Sequence, residues 1–339
     1  MNTSFNTLMG RSLSLLAAIV LLNLNTGHAQ SVSGISGSFV DIGPGTRMNS
    51  LGNAFVGLAD DPSALYSNPA GMAYFDKPSL LVMSTDQYGL VTSNFFSAAV
   101  PLTSKNMAFA LGAISSGDDL MQETTFQGAY SMRFGKLAAG LSVKARFSSF
   151  GNNTLGYSDY EFLFSDNEIN EGLSNQVSGT GNGFGFDLGV MYELQPGTRF
   201  AIALRDPVAP FNWSSETQNP DKPAKGEYNE ALPLSFAFGG STRLAENWII
   251  TFEYQPGLQD DQDDALRAGV EAKIMGILAL RAGTEQWANT FDDDKYMAGV
   301  GLITPEVRGF SLQVDYGYVI DPLANSHRFG VILNFPSLD

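Results

Sequence analysis

Two histidines and no cysteine narrow the chemistry open to this 339-residue chain. Ser–His catalysis needs a positioned imidazole. His28 belongs to an N-terminal segment with the character of a cleaved leader, and His327 stands beside Arg328 as an ordinary surface histidine would. No enzyme is expected, and no cofactor. Acid gathers in two runs, Asp260-Asp261-Gln262-Asp263-Asp264 and Asp292-Asp293-Asp294. Neither has the glycine and distal glutamate of an EF-hand loop, so both read as solvated loop tips and no metal is expected. A formal charge of −16 argues against a nucleic-acid partner, which needs a basic face. The informative charges are scattered ones of both signs: Lys144, Arg146, Asp187, Arg205, Glu253, Arg267, Glu271, Lys273, Arg281, Asp315 and Arg328. Each falls on the polar parity of a segment whose other parity is apolar.

Those segments alternate with period two from about Ser79 onward, which is the pattern of β-strands with one apolar face. Leu266, Ala268, Val270, Ala272 and Ile274 interleave with Arg267, Gly269, Glu271 and Lys273. Aromatic-rich rows recur, as in Phe184, Phe186, Leu188, Val190 and Tyr192, and again in Phe329, Val331, Leu333 and Phe335. Strand starts near Ser79, Thr92, Lys105, Gln122, Lys136, Gly181, Gly197, Leu232, Glu246, Asp263, Gly276, Asp294, Arg308 and Ala324 make about fourteen, the even number a single-chain bacterial barrel requires. Every second connection is short, and most of those between, notably 148–180 and 206–231, are long and polar. Apolar rows facing lipid and charged rows facing a lumen then give an all-β, transmembrane antiparallel barrel over 79–335, with a tail at 336–339. Trp248 and Trp287 fall at heights that suit an interfacial aromatic girdle. Low charge (16%), 24 Phe and 36 Gly fit this class.

Residues 1–29 read as a signal peptide. Arg11 precedes an apolar run, Leu13 to Leu24, that is shorter than the roughly 20 residues of a spanning helix, and Gly27-His28-Ala29 offers a small-residue cleavage site. The expected location is therefore the outer membrane of a Gram-negative bacterium. Residues 30–78 do not alternate. Asp61-Pro62 and Asn68-Pro69 each pair a capping residue with proline at a first helical position, which predicts short helical turns over 62–67 and 69–73. Small residues around Leu51, Phe55, Val56 and Leu65 predict a compact hatch or plug rather than a loose leader.

The string Gly45-x-Arg47, Gly52-x-Ala54-x-x-Gly57-x-Ala59-Asp60-Asp61 and Asn68-Pro69-Ala70-Gly71 resembles the N-terminal motif of PorV/PorQ proteins, within the FadL-like superfamily of outer-membrane barrels. The resemblance implies a fourteen-stranded barrel whose hatch motif comprises Arg47, Gly52, Gly57, Asp60, Asp61, Asn68, Pro69, Ala70 and Gly71. Its PorV/PorQ branch implies a component associated with type IX secretion that binds and passes on secreted cargo. Its wider FadL-like branch implies passive transport of hydrophobic small molecules through the hatch or a lateral opening. The partners implied are outer-membrane lipid and either secreted cargo with type IX components or hydrophobic solutes.

A charge on the lipid face of such a barrel costs about 2–4 kcal/mol at the midplane for Arg or Lys. Val270→Arg is expected to deplete the folded, heat-modifiable band in unboiled gels, while Val270→Leu leaves it at the wild-type level.

Overall fold

The computed structural model describes residues 43–338 except 88, 90, 103–105, 119, 152–176, 218–222, 260–262 and 288–293. The expected leader, residues 30–42 of the expected hatch, the strand start at Lys105 and much of both acidic runs lie outside these described residues. The strands are β1 (Ser79–Gln87), β2 (Val91–Leu102), β3 (Met107–Gly117), β4 (Met121–Phe134) and β5 (Leu137–Phe150). They continue with β6 (Val177–Gln195), β7 (Thr198–Arg205), β8 (Pro210–Thr217), β9 (Lys225–Ala231), β10 (Ser235–Leu244) and β11 (Trp248–Gln255). The last are β12 (Ala265–Ile274), β13 (Leu278–Trp287), β14 (Lys295–Ile303), β15 (Ser311–Ile320) and β16 (Ser326–Asn334).

Fourteen of these pair antiparallel into a closed ring, in which β7 joins β10 and β16 returns to β1. The ring follows from the alternation. On β12, Leu266 is 55% exposed outside while Arg267 and Glu271 are 6% and 0% exposed inside. Slipping the register by one residue would exchange these faces, so the pattern fixes the pairing. The outer face is a continuous apolar band, as a barrel in contact with lipid requires.

The other two strands correct the reading of 206–231 as a loop. β8 pairs with the long-loop end of β6 and with β9, so the β7–β10 hairpin continues outward after an interruption. Arg205 pairs with Ser235, and pairing resumes at Pro210 with Ala231: five positions along one side, four along the other. This is a bulge. Pro207, Pro210 and Pro233 supply no ladder N–H there, and Asp206 takes a left-handed φ of 55°. Polar Asn212, Ser214 and Glu216 on the outward parity hide the strand character of β8 in the sequence.

Residues 43–78 occupy the interior. They form helix α1 (Thr46–Ser50), helix α2 (Ala64–Ser67) and a 3-10 helix (Pro69–Tyr74). Helix α1 was not foreseen. Helical turns over 62–67 begin with Ala64 N to Asp61 O (2.8 Å) and Leu65 N to Pro62 O (3.3 Å) and lead into helix α2, while Asp61 Oδ1 accepts from Ser63 N (2.9 Å) and Oγ (2.5 Å) ahead of them. At Asn68 the cap forms as its chemistry dictates, with Oδ1 accepting from Ala70 N ahead of Pro69.

The interior segment touches the wall through glycines on the inward parity. A Cβ at Gly269 or Gly283 would run into the backbone of Leu51–Gly52, one at Gly140 or Gly189 into Asn68–Ala70, and one at Gly299 or Gly330 into Ser50 or Thr46. Gly52 itself has φ +68 and is wedged against the Ala268 and Thr284 backbones, so it meets both a conformational and a steric demand. Gly283→Ala is expected to destabilise by about 1–3 kcal/mol through overpacking. Gly128→Ala, whose added Cβ would meet only Leu111 at 3.4 Å, serves as the near-neutral control. Thermal unfolding followed by circular dichroism in detergent distinguishes the two.

Candidate functional site

The irregular backbone of residues 43–78 leaves amides and carbonyls that no sheet or long helix satisfies, and the wall answers them with inward side chains. Glu253 Oε2 accepts from Phe55 N (3.0 Å) and Val56 N (2.9 Å). Ser97 donates to the Pro62 carbonyl (2.9 Å), Gln127 to Leu65 (2.8 Å), Ser241 to Gly57 (2.8 Å) and Thr251 to Ala54 (2.5 Å). Arg205 Nη2 donates to Ser67 O (2.9 Å) and Arg328 Nη1 to Gly43 O (3.2 Å).

Charge locks one side of the segment to the wall. Arg47 Nε and Nη2 bind Glu271 on β12 (2.7 and 3.1 Å), and its Nη1 binds Asp60 (2.5 Å) and Asp61 (3.1 Å). Glu271 also accepts from Arg281 Nε (2.6 Å), whose Nη1 reaches Asp315 (2.6 Å), and Lys273 lies 3.8 Å from it. Arg267 bridges Glu285 (2.6 Å) and Glu253 (3.0 Å). Burial works against the Arg47 charge, yet Asp60, Glu271 and Asp61 hold its pKa well above the ordinary arginine value. Burial pushes the Asp61 carboxyl up, with Arg47 opposing. The rest of the string acts through packing and capping. Gly57 lies against the Gly240 backbone, Gly71 against Ala59, Pro69 and Ala70 against Gly140, and Asn68 Nδ2 donates to Val56 O (3.0 Å).

A second cluster sits on the opposite wall. Lys144 Nζ lies 2.6 Å from Asp187 and 3.1 Å from Asp206, and Arg146 Nη2 lies 2.7 Å from Asp206. Asp206 turns inward at the bulge between β7 and β8. Sequence reasoning passed over it because it lies outside the alternating rows. Above this cluster, towards the long-loop end, Gly179, Gly181 and Gly183 of β6 form a bare strip carrying the rings of Phe150, Trp213 and Phe211. Phe211 and Trp213 lie 5.0 Å apart, Phe150 and Trp213 5.8 Å. Trp213 thus lines the inner wall, and its Nε1 donates to Glu230 (2.8 Å). Phe162, Leu163 and Phe164 lie outside the described residues.

Trp287 is a correction. It shares the inward parity of Arg281 and Glu285, and Arg267 lies over its ring at 6.0 Å, so it belongs to the lumen and not to a girdle. Trp248 shares the outward parity of Ile250 and Phe252 and is 52% exposed.

The fold is similar to that of several solved structures. The CymD monoaromatic hydrocarbon channel aligns with a TM-score of 0.59 at 14% identity, over 88% of this chain and 98% of that one. The Ralstonia pickettii toluene transporter TbuX gives 0.56 at 13% identity, over 86% and 97%. A Pseudomonas aeruginosa FadL homologue gives 0.55 at 13%, also over 86% and 97%. No family model matches the chain, and no curated protein matches it in sequence.

Removing one member of a buried ionic network strands the others, at a cost of about 3–5 kcal/mol. Arg47→Met is expected to raise hydrogen–deuterium exchange across residues 43–77 while amides of β12 to β15 stay protected; peptide-resolved mass spectrometry reads both.

Proposed function

We propose that this chain is an outer-membrane channel of the FadL-like kind that passes hydrophobic small molecules. The carrying observation is the inner wall at the long-loop end, where Phe150, Trp213 and Phe211 lie on a glycine strip beside the bulged, proline-rich interruption at 206–209. Below that patch the described lumen holds the packed N-terminal segment and its paired charges, which suits an apolar solute better than a hydrated one. At the interruption the Leu232 N–H bond to Ala209 O (2.9 Å) links the two strands between their paired stretches, and Val208 faces outward at 42% exposure. A solute leaving the aromatic patch sideways would meet few backbone hydrogen bonds there and would enter the apolar band directly. The solved structures of similar fold, titled as hydrocarbon channels and toluene transporters, support the same reading. The cargo-shuttle role draws its support from the N-terminal string alone.

Uptake of labelled toluene by Gram-negative cells expressing the chain tests this, because the lipopolysaccharide leaflet slows unaided entry. Expression is expected to speed toluene uptake, Phe211→Asp to remove that gain, and sugar uptake to stay at the level of the empty host. Sugar permeation through the purified chain in liposomes would overturn the reading in favour of an aqueous pore.

A further inference from the structure

Beside the aromatic patch, the inner wall holds hydrogen-bond donors in excess of its acceptors. Thr125 and Arg146 face each other across the β4–β5 ladder, and each is only 3% exposed. Arg146 spends Nη2 on Asp206, at 2.9 and 2.7 Å from its two carboxylate oxygens, while its Nε and Nη1 and the Thr125 hydroxyl find no partner. Buried polar groups in folded proteins are nearly always paired, so unpaired donors on both residues of one cross-strand pair point to an occupant. Their placement is specific. Arg146 Nη1 lies over Gly185, and the next inward glycine along β6, Gly183, carries the Phe211 ring. A polar edge therefore adjoins an aromatic face on one continuous glycine floor.

The local charge decides what kind of oxygen suits that edge. Lys144 and Arg146 are matched by Asp187 and Asp206. Arg205, paired with Asp187 in the β6–β7 ladder, and Glu123, paired with Ser148, add one charge of each sign. The balance is already neutral, so a further anion would be uncompensated, whereas a neutral lone pair would not.

We infer that Arg146 and Thr125 form a subsite for one neutral acceptor oxygen, and that the solutes of this channel include apolar molecules bearing a single carbonyl, such as aryl ketones, aldehydes and esters. The inference rests on the channel reading and narrows it. A carbonyl oxygen has two lone pairs and takes one hydrogen bond from the guanidinium edge and one from the threonine hydroxyl. The attached ring then stacks against Phe211 and Trp213. Bonds from an ionised donor are the stronger kind, so the preference over a pure hydrocarbon is set chiefly by Arg146.

The experiment uses the purified full-length chain in detergent with Trp248 and Trp287 replaced by Phe, which leaves Trp213 of the three tryptophans as reporter. Saturable changes in its fluorescence are titrated with acetophenone, with α-methylstyrene, which replaces C=O by C=CH2 in nearly the same shape, and with benzoate. Acetophenone is expected to bind about tenfold more tightly than α-methylstyrene, and benzoate more weakly than acetophenone. In Thr125→Val and Arg146→Met the ratio of the first two affinities falls towards one. Heat-modifiable migration checks the folding of each variant, and Thr125→Val carries the test alone if Arg146→Met fails to assemble. Equal binding of ketone and hydrocarbon by the parent, or a ratio unchanged in the folded variants, overturns the subsite and leaves the channel reading standing. Tightest binding of benzoate overturns it in favour of an anion site. Absence of saturable binding by all three compounds overturns both.

Discussion

Everything inside this barrel depends on one constraint: an irregular backbone taken out of water must still have its N–H and C=O groups paired. The strands satisfy themselves by laddering round the ring, but residues 43–78 have two short helices, a 3-10 helix and scattered turn bonds with which to do so. Others of their groups are met by the wall, through Ser97, Gln127, Arg205, Ser241, Thr251, Glu253 and Arg328. Such bonds need backbone to approach strand, and inward glycines permit the approach. Polar side chains and absent side chains on the inner wall are thus two parts of one solution.

The same constraint explains why the lumen holds so much paired charge. Arg47 enters from the interior segment with two carboxylates of its own and meets a third on β12. Arg281 extends the network along the wall to Asp315, and Arg267 joins Glu253 and Glu285 on the same side. Burial of ions is costly unless partners are placed around them, and here the partners come from both bodies that must be joined. The opposite wall uses a smaller cluster to hold Asp206 inward at the bulge, so its ion pairs shape the wall next to the aromatic patch.

The strand ring was legible because period two is a strong signal when one face is charged and the other apolar, and β12 shows it residue by residue. It weakened where the outward face turns polar, and β8 was lost for that reason. Trp287 shows another limit: its height along the strand placed it in an interfacial girdle, while its parity with Glu285 points it inward. Parity is the better guide for a residue that is both apolar and amphipathic. The N-terminal string contained Arg47, Asp60 and Asp61, but Glu271, 224 positions away, could be joined to them only by the three-dimensional register. The inward glycines were visible one by one as gaps in a row. Their common purpose was not, because the surface they fit belongs to a segment without periodicity.

The order in which the chain is made gives the glycine contacts a kinetic meaning. The interior segment precedes every strand, yet its docking surface is spread from β2 to β16, with one bond, Arg328 to Gly43, spanning 285 positions. Contacts so distant in sequence form late, because the intervening chain must first be ordered. No partial ring offers the segment its full set of glycine seats and donors. Closure of β1 on β16 and seating of residues 43–78 should therefore be coupled, with the first part made becoming the last to settle.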